Sequence, residues 1–125
     1  MKPEFLNVDL EVISKVDPTP LAKALGKKAG VHFCDKQERD YLAAFGSGCF
    51  TRSLDRKLAE FCDLIEGLPP AAARVWKQAS RRTFDIGIGS GTTRPTLALR
   101  IKPATLARIT ALGATVAITV YPVRE

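Results

Sequence analysis

Histidine and tryptophan occur once each, and cysteine three times, in this chain of 125 residues. With His32 the single histidine, any Ser-His-Asp or Cys-His machinery would have to use it as its base. Structural zinc needs about four ligands at paired spacings. His32 and Cys34 form one H-x-C pair, while Cys49 and Cys62 each stand alone, so neither a metal nor a cofactor is expected. Three cysteines are an odd number for a disulfide framework, and they read as free thiols in a reducing, cytoplasmic setting. No apolar run approaches the roughly 18 residues of a membrane span. The opening Met1-Lys2-Pro3-Glu4 lacks the apolar segment of a secretory leader.

What is present describes a folded domain. Hydrophobic residues make up 46% and charged residues 26%, the balance of a globular chain and not of a disordered one. A chain of this length buries about two-thirds of its unfolded surface. That suffices for one domain over 1–125 whose core needs no metal or disulfide. Lys and Arg number 19 against 13 Asp and Glu, a net charge of +6. The excess permits an acidic partner without requiring one.

Periodicity then sets out the elements. Leu6, Val8, Leu10 and Val12 alternate with Asn7, Asp9 and Glu11, the mark of a half-buried strand. Asp17-Pro18-Thr19-Pro20 starts a helix, with Thr19 as cap and Pro20 in the first turn, running to Gly26. Val31 to Gly48 reads as a hairpin, its turn in the polar run from Asp35 to Asp40. Leu54, Leu58, Phe61, Ile65 and Leu68 share one helical face, with Ser53 as cap and Gly67 as stop. Pro69-Pro70 opens a helix to about Arg81, with Ala72, Val75, Trp76 and Ala79 inward. Phe84-Ile86-Ile88 and Leu97-Leu99-Ile101 read as two strands joined by a loop. Pro103 opens a last helix ending at Gly113, and Val116-Ile118-Val120 forms the closing strand.

The predicted order is β-α-β-β-α-α-β-β-α-β: an α+β two-layer sandwich, with one largely antiparallel sheet of about six strands and helices on one face. An internal echo suggests a duplication. Pro18-Thr19-Pro20-Leu21-Ala22-Lys23 matches Pro103-Ala104-Thr105-Leu106-Ala107-Arg108, and at the same offset Val31 and Phe33 fall on Val116 and Ile118. The ending from Pro103-x-x-Leu106 through Leu112-Gly113-Ala114 to Ile118-Thr119-Val120-Tyr121 resembles the C-terminal signature of a family of small bacterial α+β domains of unknown function. The opening strand and Pro-initiated helix are similar too. The resemblance implies a bacterial origin and this fold, and carries no catalytic residues with it.

Three constellations invite a functional reading. Gly87-Ile88-Gly89-Ser90-Gly91-Thr92-Thr93 follows a strand as phosphate loops do, but Arg94-Pro95 and a further strand follow it where a helix should begin. It reads as a hairpin connection, the rival being an anion nest beside Arg94. Arg74, Lys77 and Arg81, with Arg82 after them, form a basic helical stripe that would meet phosphates, without interleaved aromatics for base stacking. The sheet's outer face combines small residues with polar and charged ones: Asn7, Asp9, Glu11, Asp85, Gly87, Ala98, Arg100, Ala117, Thr119 and Tyr121. Small residues permit close approach of another surface. The leading expectation is therefore a non-enzymatic protein that binds another protein or its own copy, in an adaptor or immunity-type role. Nucleic-acid binding through Arg74–Arg82, and a small-ligand or hydrolytic site on the open face, are the alternatives.

Overall fold

A computed structural model describes residues 1–26, 29–46, 53–93 and 96–122, with the backbone alone at 32 and 33. The elements run β1 (Glu4–Ser14), α1 (Thr19–Leu25), β2 (Gly30–Gln37), β3 (Asp40–Gly46), α2 (Leu54–Glu66), α3 (Pro70–Gln78), β4 (Arg81–Gly89), α4 (Pro103–Ala111) and β5 (Thr115–Tyr121). The five strands form one sheet in the order β2-β3-β1-β4-β5. Three neighbouring pairs are antiparallel, and β4 pairs parallel with β5. The chain is thus an α+β domain with its helices packed on the sheet.

The core lies between sheet and helices, and the sequence pattern explains why. Val8, Leu10 and Val12 alternate along β1 and are fully buried, with Phe45 from β3 and Phe84 from β4 beside them. From the helical layer come Leu21, Leu25, Leu58, Phe61, Ala72, Val75, Trp76 and Ile109. Phe61 and Phe84 meet as tilted rings with centroids 5.5 Å apart, a favoured aromatic geometry. Local signals set the helix ends. The Ser53 hydroxyl accepts from the Arg56 amide at 3.4 Å, and Gly67 closes α2. At α1 the cap differs from expectation. Thr19 is already the first helical residue, Pro18 holds the cap position without a side-chain bond, and the Asp17 carboxylate in the preceding turn accepts from the Thr19 amide at 2.9 Å and from the Thr19 hydroxyl at 2.6 Å. The Thr19 bonds hold the Asp17 carboxyl below its ordinary range.

Several boundaries depart from the sequence reading. The predicted strand over Leu97–Ile101 is absent: the chain there is extended but pairs with no strand, so the sheet has five strands among the described residues. Its alternation is nonetheless used, since Leu99 and Ile101 pack against the core while Ala98 and Arg100 point outward. The segment lies on the helix side, tied to α2 where the Lys102 amide donates to the Asp55 carboxylate at 2.8 Å. Helix α3 stops at Gln78 and Arg81 opens β4. Near the start of β1 the register with β4 shifts between Phe5 and Asn7, so Phe5 turns to the core and Leu6 to the opposite face.

The internal echo is local. Both units are a strand, a helix and a parallel strand, yet β3 separates β1 from β2 while β4 and β5 are neighbours. Leu21 is fully buried, whereas Leu106, its counterpart in the echo, is 43% exposed.

Candidate functional site

The outer face of the sheet carries part of the constellation read from the sequence. Asp9 of β1 lies directly opposite Asp85 of β4, and Asp85 opposite Ala117 of β5. Directly opposed side chains have Cβ atoms about 4.5–5.5 Å apart. Polar neighbours attend both carboxylates. Asn7 Nδ2 donates to Asp9 Oδ1 at 3.3 Å, and the Thr119 hydroxyl donates to Asp85 Oδ1 at 2.7 Å. Glu11 sits two residues along β1, opposite Thr83. Among the described residues no group of three or more His, Cys, Asp or Glu side chains is placed to hold a metal.

Arg100 does not join them. Because its segment runs over the helix side, it is on the wrong side of the sheet to pair with Asp9, Glu11 or Asp85. The small residues have an internal reason as well. A Cβ at Gly87 would lie 3.4 Å from the Tyr121 ring, and one at Gly89 would lie 3.6 Å from Leu6. Tyr121 and Leu6 thus lie over the two glycines, and part of the gap expected for a partner is filled by the chain itself.

The basic stripe is also divided. Arg74 and Lys77 belong to α3, but Arg81 and Arg82 are consecutive strand residues and point to opposite faces. Arg82 is committed to structure: its guanidinium lies 5.7 Å from the Trp76 ring centroid and donates to the Trp76 carbonyl at 2.7 Å and the Gly113 carbonyl at 3.2 Å. The Trp76 indole donates to the Leu112 carbonyl at 3.1 Å. Together they clamp the end of α4 where the chain turns into β5. Gly113 makes that turn at φ +71°, with Arg82 packed where a Cβ would go. The glycine-rich stretch after β4 is a connection too. The Thr92 and Thr93 amides donate to the Met1 carbonyl at 2.8 and 3.1 Å, so they are not turned toward an anion. Arg94 and Cys49 lie outside the described residues, as does the side chain of His32.

Buried and bridged groups elsewhere read as structural. Cys62 is fully buried and its thiol is pushed up to about 11, chiefly by desolvation, which leaves it unreactive at neutral pH. Cys34 is free and exposed, its pKa raised by partial burial and by the Asp17 and Asp35 carboxylates. Arg108 joins α4 to α2, reaching Glu66 at 2.7 Å and also Asp63.

The feature that sequence reasoning missed is the margin of β5. Val116, Ile118 and Val120 share the core-facing side with Phe84, Ile86 and Ile88, their partners in β4. Yet Ile86 is 2% exposed while Ile118 is 64% and Val120 58% exposed. The helical layer covers β4 and reaches Val116 at the start of β5, and it leaves Ile118 and Val120 open. Pro3, Ile88 and Leu97 border Val120 there. The available signal was a strand without a single charge, Thr115-Val-Ala-Ile-Thr-Val-Tyr121.

No protein family, curated protein or solved structure matches the chain. Among the described residues no helix is long and apolar enough to cross a membrane.

Proposed function

We propose that this chain is a non-enzymatic binding module, a cytoplasmic bacterial protein of adaptor or immunity type, which engages a protein partner along the β5 margin of its sheet. The observation that carries the reading is the exposure of Ile118 and Val120 on one side of an uncharged edge strand. Isolated apolar side chains at a surface are ordinary, whereas a contiguous apolar strip marks a contact surface. The open face contributes at its border through Tyr121 and Thr119, while Asp9 and Asp85 supply negative charge further in. The sequence expectation of a contact centred on Ala117 therefore moves outward by half a strand.

The test is affinity capture with tagged protein, wild type against the double variant Ile118→Lys, Val120→Lys, scored by quantitative mass spectrometry with the untagged chain counted as a candidate. The reading expects at least one protein enriched by the wild type and lost with the double variant. Equal capture by both forms contradicts it.

A further inference from the structure

The direction of the backbone along β5 adds a constraint that side chains alone do not. The Ser90 amide, just past β4, donates to the Tyr121 carbonyl at 2.9 Å. Backbone groups alternate sides along a strand. Tyr121, Thr119, Ala117 and Thr115 therefore turn their N–H and C=O groups toward β4. Val116, Ile118 and Val120 turn theirs outward, and among the described residues nothing bonds to them. Two of the three, Ile118 and Val120, carry the exposed apolar strip, while Val116 is half-buried against the core. A row of outward N–H and C=O groups on a strand without charge or proline is a template for another strand.

We propose that β5 pairs antiparallel with β5 of a second copy about a two-fold axis through Ile118, joining two five-stranded sheets into one of ten. This rests on the binding reading above and names its partner. The edge is self-complementary. Val116-x-Ile118-x-Val120 reads alike in both directions, so an antiparallel copy sets Ile118 against Ile118 and Val116 against Val120, twice. Each facing pair exchanges two N–H···O bonds, about six in all. Six β-branched side chains then close over the margin that the helical layer leaves bare. On the opposite face Ala117 meets Thr119 and Thr115 meets Tyr121, so no charge meets its like although each copy carries +6.

The area sets the strength. Seven strand residues span about 23 Å, and the margin from the outer face on one side to the helical layer on the other is about 20 Å tall, on the order of 450 Å² per copy. The total of roughly 900 Å² lies just under the usual lower bound for a specific interface. The pairing is therefore reversible and tuned by concentration.

Sedimentation equilibrium of the full chain from about 5 to about 200 µM spans the strength expected of so small an interface. The proposal expects a mass rising toward twice 13.6 kDa. Ile118→Lys, which places two ammonium groups at the axis, should weaken association by about 100-fold or more, with the circular dichroism spectrum unchanged. Ala117→Arg, on the other face, should weaken it less. A dimer that Ile118→Lys leaves intact overturns the proposal. So does a wild-type monomer throughout the range. A labelled synthetic peptide of the sequence Thr115–Tyr121, followed by fluorescence anisotropy, separates the two levels. A monomer that takes up the peptide overturns the second copy and leaves the binding reading standing. A monomer that ignores it overturns both.

Discussion

The two edges of the sheet are built on opposite terms. β2, at one edge, carries Asp35 and Lys36, ends in the charged turn Glu38-Arg39, and breaks register between Val31 and Phe33. Charges and bulges are the usual means of keeping an edge strand from pairing with another molecule. β5, at the other edge, has neither a charge nor a recorded register shift. On the core side both edges are thinly covered: Val31 of β2, opposite the buried Phe45, is 43% exposed, and Ile118 of β5 is 64% exposed. One edge is defended and the other is left available. The proposed interaction site is thus placed by where defences are missing as much as by where special residues occur.

The largest effect should come from breaking the support of the available edge. Trp76 is buried and bonded to the Leu112 carbonyl, with Arg82 packed on its ring. Trp76→Ala should cost about 3–5 kcal/mol in denaturant unfolding. A loss under about 1 kcal/mol would mean that the clamp is not what holds α4 and β5 in place.

Next comes Ile118→Lys. Its effect on association should be large, while the stability of the isolated monomer should change by no more than about 0.5 kcal/mol, because the side chain is already mostly in water. Urea titration at low concentration checks this. A strong destabilisation would place Ile118 inside the core. The comparison sharpens if the defended edge is disarmed. Asp35→Val with Lys36→Val makes β2 resemble β5, and light scattering should then report species larger than a dimer. No change would show that the bulge alone protects that edge.

Smaller effects concern groups away from both edges. Arg108→Ala removes an exposed bridge and should cost about 1 kcal/mol or less. The wild-type contribution also has a definite pH sense. The Arg108 hydrogen bond holds the Glu66 carboxyl below its ordinary range. A lowered folded-state value stabilises the fold above the ordinary glutamate range, and that stabilisation fades as pH falls through the lowered value. Thermal melts of wild type and Arg108→Ala should therefore converge in acid and separate near neutrality. Least perturbing is thiol labelling of the native chain: exposed Cys34 should react, and Cys62 only on unfolding. Fast labelling of Cys62 would contradict its burial.

Much of this architecture was legible in the sequence because local rules govern it. The alternation in β1, the single apolar face of α2, the Pro starts of α3 and α4, and the Gly stop after α4 each need only near neighbours. What escaped depends on neighbours distant in sequence. Leu97-Leu99-Ile101 alternates as a strand would, but alternation records only that one side is covered. Here helices and sheet cover it, without a strand partner. Val116-Ile118-Val120 has the same limit. Period two identifies a face, not whether anything lies over it. The candidate site divided for the same reason. Asp9 and Asp85 met because antiparallel register carried them together, while Arg100 and the pair Arg81-Arg82 depended on boundaries that tertiary packing moved.

The central claim is that one sheet edge pairs and the other does not, and backbone hydrogen exchange reads both edges in a single experiment. Exchange should be followed for residues 30–37 and 115–121 at about 5 and about 200 µM, since amides gaining bonds in a partner contact slow as the complex fills. The account predicts that the outward amides of Val116, Ile118 and Val120 slow at the higher concentration while β2 is unchanged. Slowing at β2, or concentration-independent exchange along β5, would contradict it.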